Sequence, residues 1–409
     1  MMSDAVRFYQ MLCTESKKNY PIREAFQNFY SAYASSHCVS SEQAKAARCI
    51  SECKTGSLGY NISCCESCGH IEVHACSCNN RNCPCCQSPQ EQKWVMARNS
   101  ELIEGCAYYH SIFTVPFELN DLIYENQKLL YNLMFTCTSE TLLTLCRDKE
   151  YLGATPGIIM VLHTWGQQLN LHPHIHCCIS GGGLTESEQF IESCHKGFLL
   201  PEGAVGKMFR GKFMEKLKVY YEKDLLSLHG KCAHLRNRYN WKEFVDSLYE
   251  KKWIPFIKET FNGNGNAIQY LARYAYRTAI SNSRITDVTE ESVTFRYKDY
   301  ADHGTSKLKT VTGSEFIGLF LQHILPKGFS RVRFSGFLSN CCKTRKLKLI
   351  HKLRSTPFIP NPVKGKSMAE LMLLLYNQDI GTCSRCNGHV IQFPRGKPLK
   401  DSLLNCSLT

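Results

Sequence analysis

No run among the 409 residues is apolar for the length needed to cross a bilayer. The opening stretch, MMSDAVRFYQMLCTESKKNY, turns polar within a few positions, so no secretory signal is expected. Internal repeats and low-complexity tracts are also missing, which sets aside repeat architectures. Acid is in short supply. Asp and Glu number 36 against 49 Lys and Arg, a net charge of +13. Between residues 316 and 369 there is no acid at all, against eleven Lys and Arg, including KTRKLKLIHKLR. Such an excess suggests an anionic partner, most often nucleic acid for a large soluble protein.

Cysteine, by contrast, is plentiful, with 24 in the chain. Several sit in tight pairs rather than scattered as a disulfide framework would be. Without a secretory signal this implies a reducing, cytosolic compartment, in which paired cysteines mean metal.

The length allows two or three domains with real cores. Residues 1 to about 48 read as mixed and helical. Residues 49 to about 87 are dense in cysteine and poor in long apolar runs, so that segment needs a metal to fold. From 106 to 340, YYHSIFTVPF and PGIIMVLHTWG read as strands on their β-branched and aromatic content. LNDLIYENQKLLYNLMFTCTSETLLTL has apolar residues at helical spacing. The mixture predicts an α+β domain with an antiparallel sheet.

Within CCESCGHIEVHACSCNNRNCPCCQ two knuckles stand out, Cys65 with Cys68 and Cys83 with Cys86. A CxxC turn brings two thiolates to one tetrahedral ion, so two pairs complete a four-cysteine zinc site. Cys53, Cys64, Cys76, Cys78, Cys85, His70 and His74 are surplus and could serve a second ion or vary the first. Arg81, within CNNRNCPCC, could reach a phosphate or could be a solvated loop residue. Cys383 and Cys386 form a third knuckle in GTCSRCNGH, half a site that needs partners such as Cys341, Cys342 or Cys406.

The segment LHPHIHCCISGGGL sets His172, His174 and His176 on alternate positions, hence on one face of a strand. Three buried imidazoles would all need partners, which favours a metal over a core role. Imidazole suits zinc, iron, copper, nickel or manganese, whereas Mg²⁺ or Mn²⁺ would be expected to add oxygen ligands. Gly181, Gly182 and Gly183 are expected to end the strand in a turn free of Cβ. Downstream, NGNGNAIQYLARYAYRTAISNSRI reads as a helix packed through Ile268, Leu271, Ala272, Ala275 and Ala279. Tyr270 and Tyr274 share one face, while Tyr276 lies about 200° around from Tyr274. Arg273 and Arg277 make a basic stripe beside them.

HPHIH followed by GGG, YLARY before RTAISNSRI, FRYKDYA, EFIGLFLQHILPKGFSRVRFSGFL and a cysteine module with CPCCQ together resemble the two-tyrosine HUH transposases of rolling-circle insertion sequences, bacterial relatives of Helitrons. The resemblance runs from about residue 40 to 390. His174-Ile175-His176 matches the His-hydrophobic-His motif, and Phe113 to Pro116 the first strand motif. It implies an HUH endonuclease domain at about 101–340, after a zinc-binding DNA-recognition domain at about 1–100 and before a basic helical tail with its knuckle at about 341–409. It further implies a divalent ion, Mg²⁺ or Mn²⁺, on His174 and His176. Tyr270 and Tyr274 would be nucleophiles that join the 5′ side of single-stranded transposon ends as a phosphotyrosine and free a 3′-OH. Gln167, seven residues before His174, is placed like the upstream ligand of related replication initiators, with Gln168, Gln269 and His172 as rivals. The setting implied is the bacterial cytoplasm, on the nucleoid when DNA is bound. Lys343, Arg345, Lys346 and Lys348 are candidate phosphate contacts. A replication initiator, a non-catalytic zinc-dependent DNA-binding protein and a metal-dependent hydrolase are the competing readings.

Overall fold

The computed structural model describes residues 20–86, 88–193, 197, 199–253, 255–259, 268 and 275–393. Its strands in chain order are β1 (Tyr60–Cys65), β2 (Ile71–Ala75), β3 (Tyr108–Thr114), β4 (Thr155–Trp165), β5 (Leu171–Leu184), β6 (Phe190–Glu192), β7 (Phe256–Glu259), β8 (Ile285–Val288), β9 (Ser292–Asp299), β10 (Thr305–Thr312), β11 (Val332–Gly336) and β12 (Val390–Gln392). Among the described residues they form three antiparallel sheets. The largest has the order β11-β4-β5-β3-β7, with β6 beside the end of β5.

Strands β4 and β5 are buried on both faces through most of their length. Period-two alternation sends Phe113, Met160, Leu162, Ile175 and Cys177 into one core, against helices Gln127–Arg147 and Glu202–Glu222 through residues such as Met134, Phe209 and Phe213. The opposite face carries Tyr108, Ile159, Val161 and Cys178 into a second core with Ile268, Ala275, Phe337, Leu347 and Ile350. Burying each large side chain contributes about 1.5–3 kcal/mol, so both faces hold the sheet rigid. The long helical pattern after residue 119 is broken at Asn126. Its amide donates to the Leu122 and Ser227 carbonyls and accepts from the Ser227 N–H.

A third core joins distant parts of the sequence. Ile22, Phe26, Ala46 and Ile50, from helices Pro21–Ser36 and Ser41–Glu52, pack with Val293, Phe295, Phe316 and Phe320. The Phe26 and Phe320 rings meet edge-on at 5.0 Å. Helix Lys343–Leu353 likewise buries Leu347 and Ile350 against the large sheet. The cores thus cross the sequence boundaries at 100 and 340. Strand β12 pairs with β1, so segments more than 300 residues apart share one small sheet.

The three glycines of the histidine strand require a correction, because β5 continues through them to Leu184. A Cβ on Gly181 would stand 2.9 Å from the Tyr109 ring, one on Gly182 2.5 Å from Phe190, and one on Gly183 2.6 Å from the Thr155 carbonyl oxygen. The glycines admit close neighbours within the sheet instead of turning the chain. No described helix is long and apolar enough to cross a membrane.

Candidate functional site

Register creates the histidine cluster. His163 of β4 stands opposite His174 of β5, and Val161 opposite His176. On the other side, β3 sets Ile112 opposite His176 and His110 opposite Cys178. Opposed residues share a face, so His110, His163, His174 and His176 meet on one side of the sheet. One nitrogen each of His163, His174 and His176 lies within 4.8 Å of the others, and all three residues are buried. Second contacts orient the rings. His174 Nδ1 lies 2.6 Å from the His172 carbonyl oxygen. A carbonyl only accepts, so Nδ1 carries the proton and Nε2 keeps its lone pair. His176 Nδ1 lies 3.0 Å from His110 Nε2. Burial lowers the basicity of His174 and His110 to about 4 and that of His176 well below its ordinary value. These imidazoles are therefore neutral at pH 7, the form that binds metal. The converging imidazole nitrogens of His163, His174 and His176 fit a divalent transition ion.

His163 was not singled out from the sequence, although it sits in the strand PGIIMVLHTWG. Nothing local marks it; only pairing with β5 brings it to His174. Gln167 lies past the end of β4, where its amide donates to the Tyr300 hydroxyl at 3.5 Å and its carbonyl accepts from Arg284. Among the rivals, Gln168 is exposed, Gln269 lies outside the described residues, and His172 supplies its carbonyl to His174.

Tyr270, Arg273 and Tyr274 also lie outside the described residues. The described neighbours on either side, Ile268 and Ala275, are buried in the core on the histidine face of the sheet. Tyr276 is half-buried with its ring 6.2 Å from Trp94. Burial pushes its hydroxyl above the ordinary value, with Arg331 and Arg98 opposing. Arg277 is exposed, and its carbonyl accepts from Arg331.

The cysteines regroup. The single site of Cys65, Cys68, Cys83 and Cys86 is corrected to two clusters. Cys83 and Cys86 meet Cys53 and Cys78, whereas Cys65 and Cys68 meet Cys383 and Cys386. In both clusters the four sulfurs lie within 4.8 Å of one another. The reason is the fold: the Cys53 and Cys83 cluster packs into the core under the N-terminal helices, while the β1–β2 turn projects Cys65 and Cys68 toward the C-terminal knuckle. Neighbouring sulfurs, Cys78 foremost, hold the Cys53 thiol far below its ordinary range, and the reciprocal contact with Cys53 pushes Cys83 far above. Cys85 lies beside this cluster and accepts from the Asn282 amide. Neither Cys341 nor Cys342 joins the Cys383 knuckle.

Arg81 is half-buried. Its guanidinium donates to the Phe329 carbonyl at 2.6 Å and to those of Leu325 and Pro326 at 3.2 and 3.4 Å. It ties the cysteine module to the turn before β11 and leaves little for a phosphate. Lys343 is held 2.6 Å from Glu101, and Arg345 lies 3.3 Å from Glu188 at the surface. Lys346 is half-buried and Lys348 exposed, its ammonium over the Phe358 ring.

Comparison with known proteins gives two family matches. A family model described as "Putative transposase" matches residues 157–345, and one described as "Transposase zinc-binding domain" matches residues 25–115. The chain is 38% identical over 328 residues to "Putative transposase y4qJ" of Sinorhizobium fredii, covering 80% of this chain and 82% of that one. It is 29% identical over 349 residues to the transposase for insertion sequence element IS801 of Pseudomonas savastanoi pv. phaseolicola, covering 83% and 80%. No solved structure matches.

Proposed function

The chain belongs to the IS91/IS801 family of insertion-sequence transposases, and we propose from that premise that it nicks and rejoins single-stranded DNA through a 5′-phosphotyrosine during rolling-circle transposition. The observation that carries this reading is the set of buried imidazoles of His163, His174 and His176 on one face of a rigid antiparallel sheet. That sheet is read as an HUH endonuclease core. Mn²⁺ or Mg²⁺ held by these three residues would supply charge neutralisation at the scissile phosphate. Nitrogen donors suit Mn²⁺ better than Mg²⁺.

Tyr270 and Tyr274 are the proposed nucleophiles. Ile268 and Ala275, the described residues on either side of them, are buried in the core on the histidine face of the sheet, which supports this reading. The phenolic oxygen bonds to phosphorus, the bond from phosphorus to the 3′ oxygen breaks, and that oxygen leaves with a proton as a free 3′-OH. The phosphodiester energy stays in the protein–DNA link, so rejoining needs no nucleotide cofactor. Two tyrosines allow two successive transfers. Structural zinc in the cysteine clusters would shape the DNA-recognition module.

Trapping on single-stranded copies of the DNA flanking the coding region tests the reading. An adduct mapped by mass spectrometry to Tyr270 or Tyr274 is expected, lost in the double change Tyr270→Phe with Tyr274→Phe and kept in Tyr276→Phe. An adduct on Tyr276 or on a serine, or one that survives the double change, overturns the site. Active protein that never forms an adduct overturns the mechanism.

A further inference from the structure

The Cys65 and Cys383 knuckles are copies of one another in backbone terms. Cys65 N–H donates to the carbonyl of His70, five residues on, and Gly69 N–H returns to the Cys65 carbonyl. Cys383 N–H donates to the carbonyl of Gly388, also five residues on, and Asn387 N–H returns to the Cys383 carbonyl. Gly69 and Asn387, the equivalent positions, both take the left-handed conformation, at φ +66° and +57°. The two turns face each other. Cys65 Sγ lies 3.4 Å from Cys386 Sγ, and Cys68 Sγ 3.7 Å from Cys383 Sγ. Sulfurs bound to one tetrahedral zinc at about 2.3 Å stand roughly 3.8 Å apart, whereas a disulfide would need about 2.05 Å.

Surrounding contacts serve this arrangement. The N–H groups of Arg385 and Gly388 point at the sulfurs of Cys383 and Cys386, each at 3.4 Å, as suits thiolates. Strand β12 pairs with β1 in register Cys65↔Val390. Ser384 donates to Glu72 at 3.0 Å, and His389 lies 2.8 Å from Glu66. A Cβ on Gly388 would stand 2.3 Å from the Ser67 hydroxyl, so the second turn fits against the first only without one.

We propose that Cys65, Cys68, Cys383 and Cys386 form a second structural zinc site, separate from Cys53, Cys78, Cys83 and Cys86, which closes a two-knuckle ribbon from segments 315 residues apart. Half of it lies outside residues 25–115, the span matched by the zinc-binding domain. The inference does not depend on the strand-transfer chemistry.

Elemental analysis of the purified full-length chain tests it. The change Cys383→Ser with Cys386→Ser is expected to remove one zinc per chain, and Cys53→Ser with Cys86→Ser a different one. Loss of none, or of all the zinc, in the first variant overturns the assignment. A measurement on the unmodified chain guards against misfolded variants. Cys68 and Cys386 are exposed, so free thiols there would alkylate at once. Mass mapping is expected to show Cys65, Cys68, Cys383 and Cys386 protected together and released together by a strong chelator. Rapid alkylation of Cys68 or Cys386 in the zinc-replete protein overturns the site.

Discussion

At the scale of residues, the histidine set is defined by what each imidazole's second nitrogen does. His163→Ala is expected to abolish oligonucleotide cleavage as completely as His174→Ala or His176→Ala, with DNA binding kept. Gln167→Ala should retain most activity. A fully active His163→Ala would remove it from the ion. His110 is the hydrogen-bond partner of His176, so on the proposed reading His110→Phe should weaken binding of the divalent ion about 10–100-fold in a titration, with little loss at saturating metal. Burial also makes a pH prediction. His110, His174 and His323 have folded values near 4 against 6.5 when free. Below pH 6.5 the unfolded chain binds more protons, so stability is complete above that value and is lost as pH falls toward 4. Stability of the zinc-replete protein, measured without added Mg²⁺ or Mn²⁺, should drop between pH 7 and 5 by about 2 kcal/mol per imidazole. An unchanged midpoint would contradict the burial. His174 and His176 were legible because alternation along one strand is local. His163 was not, because the pairing of β4 with β5 has no local signature.

At the scale of elements, the same distinction separates the readings that held from those that did not. The strands around Phe113 and Ile159 and the helices from Asn120 to Arg147 follow from short-range composition and spacing. The glycine run did not, since Gly-Gly-Gly signals a turn by propensity alone. Here it answers the Tyr109 and Phe190 rings and the Thr155 backbone. Gly183→Ala should therefore cost about 1–3 kcal/mol in denaturant unfolding, with the slope unchanged. A neutral effect would mean that β4 can yield at Thr155. Each knuckle was likewise legible as a pair, because CxxC is a local turn. Which pair meets which was decided by tertiary packing hundreds of residues apart.

At the scale of the whole molecule, the basic excess divides by what the charges already touch. Lys343 is engaged by Glu101, so Lys343→Gln should cost stability more than affinity. Lys346→Gln with Lys348→Gln should lower the slope of log affinity against log salt on single strands by about 1.4. An unchanged slope would make this face merely solvated. Arg81→Gln should lower the melting temperature and leave the salt slope alone. The meeting of two knuckles far apart in the chain also sets an order in time. Cys68 and Cys383 are 315 residues apart, so at about 5–20 residues per second a ribosome needs roughly 15–60 s to deliver the second knuckle after the first. Throughout that interval β1 offers an unpaired edge and Cys65 and Cys68 have no partners. A message cut short before residue 383 would leave them so permanently. Only a chain translated past residue 386 can close the ribbon.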